Sequence, residues 1–175
     1  MTEQNLHMIP AWVNDTFQPV EKLKAHIDGL KHLAISVFVI SGNQVLLQKR
    51  AAGKYHTPGL WANTCCTHPH WEEAPLECAH RRLDEELGIT GLTLRHCGQV
   101  EYRADVGGGL IEHEVVDIYR SDASQDLALS LNPDEVEATR WVEIADLKAE
   151  IADSPTIFTP WLRIYLDQHW DKIFG

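Results

Sequence analysis

The sequence predicts a mixed α/β domain in which strands precede and follow one central helix. Three observations carry this reading. Apolar, β-branched runs separated by turn signals flank a central amphipathic segment, 75–87. The chain has 175 residues, 44% of them hydrophobic and 23% charged, which is enough to bury a core of ordinary size. No internal repeat or low-complexity linker divides it. The expected organisation is one domain over residues 1–175, with segment 1–30 and a C-terminal amphipathic helix over 157–174 added to the core.

The elements follow in order. Residues 33–40 and 45–48 are rich in β-branched and apolar side chains, and Ser41-Gly42-Asn43-Gln44 between them is a turn signal, so a hairpin is expected. Residues 50–58 are polar, contain Gly53, and read as a loop. Residues 61–64 form a short strand leading into a loop that carries Cys65 and Cys66. Pro75 suits the first turn of a helix that ends before Gly88. Leu76, Ala79, Leu83 and Leu87 make its apolar stripe, with Arg82 and Glu86 one turn apart beside it. Residues 92–102 and 110–119 read as strands joined through Gly107-Gly108-Gly109. Residues 136–142 are a further strand and 145–151 a short helix. Pro160 lies near the start of the C-terminal helix.

A formal net charge of -11 argues against a broad nucleic-acid surface, which needs clustered cations. It leaves room for a local basic pocket. No run of about 18 apolar residues occurs, so no membrane-crossing helix is expected. Met1-Thr2-Glu3-Gln4-Asn5 lacks the layout of a signal peptide. The expected location is cytoplasmic, where the four cysteines stay reduced.

Three constellations carry chemistry. Glu112 and Glu114 point to one face of their strand, which Leu110, Val116 and Ile118 share. Two carboxylates on an apolar face repel and are costly to desolvate, and a divalent cation would relieve both problems. A solvated edge strand is the alternative. His68, His26 and His32 could add imidazoles, giving a mixed N/O set suited to Mn²⁺, Mg²⁺, Fe²⁺ or Zn²⁺; singly, each is also an ordinary surface or hydrogen-bonded histidine. Cys65 and Cys66 offer thiols whose proton affinity a metal or charge can shift, against the alternative of small buried hydrophobes. Lys22, Arg50, Lys54 and Arg82 would bind a phosphate or diphosphate if they converge, and are solvated cations if they do not.

Thr57-Pro58-Gly59-Leu60-Trp61-Ala62-Asn63, Cys66-Thr67-His68-Pro69 and Arg81-Arg82-Leu83-Asp84-Glu85-Glu86-Leu87-Gly88 together resemble the type I isopentenyl-diphosphate isomerases, a branch of the Nudix fold. His32-Leu33-Ala34-Ile35-Ser36-Val37-Phe38, Tyr102-Arg103-Ala104, Glu112-His113-Glu114 and Thr159-Pro160-Trp161 extend the likeness from about Lys22 to Trp161. Glu73 and Arg81–Ile89 match the Nudix signature. Thr67 stands where it opens with Gly, and Arg82 where an acid follows the first Arg.

The resemblance implies a mixed sheet packed between helices and a metal-dependent proton shift between isopentenyl and dimethylallyl diphosphate, a step of isoprenoid biosynthesis. It implies Cys66 as catalytic thiol, Glu114 as its carboxylate counterpart, Tyr102 as phenolic partner and Trp161 as a ring to stabilise a carbocation. His26, His32, His68, Glu112 and Glu114 would form a first metal site for Mn²⁺, Mg²⁺ or Zn²⁺. Glu86, with the Cys66 backbone, would hold a second ion, Mg²⁺, on the diphosphate. Lys22, Arg50, Lys54 and Arg82 would bind the diphosphate. A monomer acting on a small prenyl diphosphate, without nucleic acid or membrane, is expected. Trading an acid for Arg82 weakens the case for the rival activity, pyrophosphate hydrolysis of a nucleotide or prenyl diphosphate. A non-enzymatic binding domain is the second rival.

Overall fold

The computed structural model describes residues 7–175, so the reading of Met1–Asn5 falls outside it. Its centre is β3 (Lys31–Ser41), an apolar strand buried over most of its length. β3 pairs antiparallel with β4 (Gln44–Arg50) and β6 (Cys65–Thr67), and in parallel with β8 (Leu110–Asp122) from Lys31↔His113 to Ile40↔Asp122. β8 pairs with β7 (Arg95–Gly107), while β4 pairs with β5 (Trp61–Ala62) and β9 (Val136–Glu143). Strands buried on both faces read as continuous hydrophobic runs, which is why β3 was legible.

Helices cover both faces. α2 (Pro75–Leu87) packs Cys78, Ala79, Leu83 and Leu87 onto Ile35, Val37 and Val39 of β3. On the other face, α3 (Ile144–Asp153), α4 (Pro160–Gln168) and α5 (Trp170–Phe174) enclose Phe38, Val116, Ile118, Leu162 and Tyr165. The expected sheet between helices is therefore present.

Several local expectations are corrected. Leu76 is 42% exposed, and Cys78 joins the packed stripe of α2 instead. The cysteine segment is strand β6, not loop. The helix expected over 157–174 is three pieces: a 3₁₀ turn at Pro155–Ile157, then α4, then α5. Pro160 lacks an N–H and restricts the residue before it, so Thr159 is extended and the helix starts afresh. His169 leaves helical geometry at φ -130° and separates α4 from α5. β7 starts at Arg95, later than expected.

Segment 7–30 carries structure with weak sequence signals. β1 (Met8–Val13) and β2 (Thr16–Glu21) form a hairpin whose prolines face each other in the register Pro10↔Pro19. Proline in a strand hides it from pattern reading. The available signal was Asn14-Asp15, a two-residue turn with φ of 49° and 62°. Glu21 then caps α1 (Lys22–Ile27), accepting hydrogen bonds from Leu23 N at 3.0 Å and Lys24 N at 2.8 Å. That cap fixes Lys22 and His26 one turn apart, on the same side of the helix.

α2 ends at Gly88, with φ 66° and its N–H on Asp84 O, while Ile89 N reaches Leu83 O. A Cβ here would lie 2.7 Å from Ser130 Cβ. Gly88→Ala is expected to cost more than about 1 kcal/mol, because strain at positive φ adds to the clash; urea denaturation that leaves the midpoint unmoved would refute this.

Candidate active site

The site lies where β8, β3, β6, α1 and the 51–60 loop meet. Alternation in β8 sends Glu112 and Glu114 inward, 3% and 1% exposed, beside Leu110, Val116 and Ile118. The solvated-edge alternative is thereby excluded. Parallel pairing sets His32 opposite Glu114, and antiparallel pairing sets Tyr102 opposite it from the other side. Tyr102 Oη lies 2.8 Å from Glu112 Oε2 and 2.7 Å from Glu114 Oε2. A phenol has one proton, so it donates to one carboxylate and accepts from the other, which must then be protonated. Burial and the Glu114 charge push Glu112 well up. Burial would also raise Glu114, but contacts to His32 and His68 outweigh it and hold Glu114 well below the usual range. Glu112 thus keeps its proton and Glu114 is ionised.

The histidines are prepared as ligands. His26 Nδ1 lies 2.7 Å from Lys22 O, and His32 Nδ1 2.7 Å from Leu30 O. Carbonyls only accept, so each Nδ1 carries the proton and each Nε2 presents a lone pair. Both Nε2 atoms are buried without a hydrogen-bond partner. Burial lowers His26 to about 4, and burial likewise holds His68 well below its ordinary value, so both are neutral near pH 7. Metal-ligating histidines characteristically anchor their other nitrogen on a carbonyl. His32 Nε2 stands 3.5 Å and His68 Nε2 2.8 Å from Glu114 Oε1. His68 Nε2 is close enough to donate its N–H to Glu114, but the bare Nε2 of His32 facing that carboxylate is repulsive unless a positive centre joins them, and the donor set therefore fits a divalent cation.

Four of the five expected ligands, His26, His32, His68 and Glu114, hold donor atoms within 4.8 Å of one another. Glu112 falls instead in an adjoining group with His26 and His56. His56 was missed, because it sits in an irregular loop where no periodicity points to it. Burial, with Arg50 nearby, lowers His56 to about 2.

The two thiols face opposite sides of β6. Cys65 is fully buried in the core under α2, whereas Cys66 lines a cavity of about 30 Å³ with Glu112, Glu114 and His68. Burial, then the charges of Glu114 and Glu112, push the Cys66 thiol well up, so it stays protonated. Ser36 Oγ donates to Cys66 Sγ at 3.2 Å and lies 2.9 Å from Tyr165 Oη. Neither Ser36 nor Tyr165 was legible in advance, since 129 positions separate them in the chain.

Lys22, Arg50, Lys54 and Arg82 converge on the same cavity, with Glu86. Arg82 Nη2 binds Glu86 Oε1 at 2.6 Å, and Gln48 Nε2 donates to Glu86 Oε2 at 2.8 Å. Glu135, also unforeseen, pairs with both Lys54 and Arg82. Trp161 is buried outside this lining, its Nε1 donating to Asn63 Oδ1 at 3.2 Å and its ring 5.3 Å from the Arg50 guanidinium. Glu73 and Arg81, the remaining signature pair, clasp each other at 2.6 and 2.8 Å and tie the loop to α2. Trp61 lies on β5, outside the cavity lining.

Burial and the neighbouring charges of Lys54, Arg82 and Arg50 pull the Lys22 ammonium down to about 8. Lys22 is therefore charged below that pH and neutral above it. Affinity for Mg²⁺-pyrophosphate should fall above pH 8, by at most about tenfold per pH unit, and the fall should shrink in Lys22→Arg. Calorimetric titrations from pH 7 to 9.5 with superimposable profiles for the two proteins would place Lys22 outside the anion site.

The NUDIX domain family matches residues 30–162. A protein of Cereibacter sphaeroides named isopentenyl-diphosphate Delta-isomerase is 64% identical over 168 residues, covering 96% of this chain and 95% of its own. One of the same name from Rhodobacter capsulatus is 62% identical over 167 residues, covering 95% of each. Among solved structures, a Deinococcus radiodurans protein superimposes with TM-score 0.71 at 14% identity, covering 92% of this chain and 97% of its own. A MutT NUDIX hydrolase from Burkholderia pseudomallei gives TM-score 0.60 at 24% identity, covering 79% and 98%. Those two structures speak to the fold.

Proposed function

The chain belongs to the NUDIX family and, within it, to the isopentenyl-diphosphate Delta-isomerases, and on that footing we propose how its residues divide the work. The reaction is the interconversion of isopentenyl diphosphate and dimethylallyl diphosphate. The observation that carries the assignment of roles is the convergence of Cys66, Glu114 and four cations on one narrow cavity.

Lys22, Arg50, Lys54 and Arg82 hold the diphosphate, and the hydrocarbon end points toward Cys66 and Glu114. An alkene is a weak base, so a buried, well-placed acid has to protonate one end of the allylic unit while a base takes a proton from the other. The pairing of a protonated thiol with an ionised carboxylate supplies one donor and one acceptor. Their roles exchange with the direction of reaction. Tyr102 bridges Glu114 and Glu112 and stabilises whichever protonation state the step leaves. Ser36 fixes the sulfur by its 3.2 Å hydrogen bond. Trp161 is assigned to the developing tertiary cation through a ring face, a contact worth roughly 2 kcal/mol when desolvated. Arg50 already stands over that ring and Trp161 is buried outside the cavity lining, so the contact requires side chains to move on binding. The cavity has room for about one water molecule, which protects a cation from capture and requires side chains at its mouth to give way on binding.

A divalent cation on His26, His32, His68 and Glu114, with Glu112 in the adjoining group, would orient Glu114 and tune its basicity, with Mn²⁺, Mg²⁺ or Zn²⁺ suiting the donors. Glu86 and the Cys66 backbone would hold Mg²⁺ beside the diphosphate. The proposal extends to one domain over 1–175, a monomer, and a cytoplasmic location for isoprenoid biosynthesis, where the four free cysteines stay reduced. No helix among the described residues is long and apolar enough to cross a membrane.

Incubation of isopentenyl diphosphate with the protein and Mg²⁺ in D₂O should yield deuterated dimethylallyl diphosphate; phosphate release in its place would favour the hydrolase. Cys66→Ala should lose at least about a hundredfold in turnover yet still bind diphosphate. Cys65→Ala should keep most of the activity, and the reverse order would mean that the wrong thiol of the pair is assigned.

A further inference from the structure

The resemblance gives five ligands, four of them in its quoted motifs and His26 outside them. The loop between β4 and β5 brings a sixth donor. His56 is buried, and its Nε2 stands 3.5 Å from Glu112 Oε1. That equals the separation of His32 Nε2 from Glu114 Oε1 in the neighbouring set. It is too long for a hydrogen bond. It suits two donors on one ion, because ligands at about 2.1 Å separated by 3.5 Å subtend roughly 110°.

The rest of the His56 surroundings agree. Its Nδ1 lies 3.1 Å from Thr57 Oγ1, which can accept that proton and leave Nε2 bare. Thr57 is a β-branched residue at φ 46°, a costly conformation that places its hydroxyl beside the ring. The ring stacks on His26 at 5.7 Å and 28°. His26 Nε2 is buried without a partner, and a ring nitrogen of His26 lies within 4.8 Å of the donor atoms of both His56 and Glu112.

We propose that His56 is a ligand of the cation site: with His26 and Glu112 it forms a second donor set that overlaps the His26, His32, His68, Glu114 set. This rests on the reading of the cluster as a metal site. His26 has only one free lone pair, so the two sets are alternative positions for one ion. The inference explains why Glu112 stands with His56 and apart from the other four. It also gives the loop a role beyond connecting strands.

The test uses the full chain loaded with Co²⁺, with affinity read by chelator competition and ligand geometry by the visible absorption band. His56→Phe should weaken Co²⁺ binding about 10- to 100-fold and change the band. His56→Gln is measured beside it and carries the comparison if the Phe variant does not fold. Folded variants with the affinity and band of the parent protein overturn the inference. A weaker affinity with an unaltered band makes His56 a support for Glu112 and also overturns its assignment as ligand. His26→Gln, which removes the donor common to both sets, separates the two readings. If it too retains Co²⁺ unchanged, the cluster is not a cation site at all; if it loses Co²⁺ while the His56 variants keep it, only the His56 assignment falls.

Discussion

The structure depends on keeping two carboxylates, two residues apart, on the apolar face of a buried strand. Desolvating one unpaired carboxylate costs on the order of several kcal/mol, and a second beside it adds repulsion. The chain offsets this with a phenol that touches both, imidazoles around Glu114 and His56 beside Glu112. His68 is neutral, however, so it solvates the charge of Glu114 as a dipole without cancelling it. Replacing Glu112 and Glu114 by apolar residues would relieve the fold. Their presence on this face marks the cluster as serving chemistry.

β3 makes the arrangement possible. A parallel partner on one side and antiparallel partners on the other let its polar residues meet two different strands. His32 meets Glu114 across the β8 pairing, and Ser36 meets Cys66 across the β6 pairing. These residues are four apart on a strand, so period-two alternation keeps both on one face. The acid and the thiol are consequently set by the register of one strand. A one-residue slip in either pairing would turn its side chains to the opposite face.

Much of this was legible because it rests on periodicity. The alternation in β8 put both acids on the face of Leu110, Val116 and Ile118 without deciding that it was buried, and the 3.6-residue stripe predicted α2, apart from Leu76. What escaped depends on contacts between distant segments or on irregular backbone. The choice between Cys65 and Cys66 on geometric grounds needed β6 to be a strand, since only alternation sends adjacent thiols to different cores. Prolines masked β1 and β2. His56 and Glu135 lie outside periodic segments, and Tyr165 reaches Ser36 only after α4 folds over the sheet. The family motifs supplied the roles of Cys66 and of the cations, which no spacing argument would have assigned.

The charge reversal at Arg82 has its effect through Glu86. Both oxygens of Glu86 are engaged, Oε1 by Arg82 and Oε2 by Gln48. A cation that approaches Glu86 alone must compete with a guanidinium in a half-buried ion pair, where partial desolvation strengthens the repulsion. A diphosphate changes the balance, because its oxygens give Arg82 another anion to face and give the cation further ligands. Glu135 holds Lys54 and Arg82 in the same way until an anion replaces it. The Lys54 and Arg82 part of the basic cluster is therefore neutralised internally in the free protein, while Lys22 still feels the repulsion of its neighbours. The cluster becomes available to a diphosphate and its metal arriving together. An acid in place of Arg82 would draw cations to this helix without substrate, as a hydrolytic centre needs; the guanidinium ties metal and substrate into one binding event.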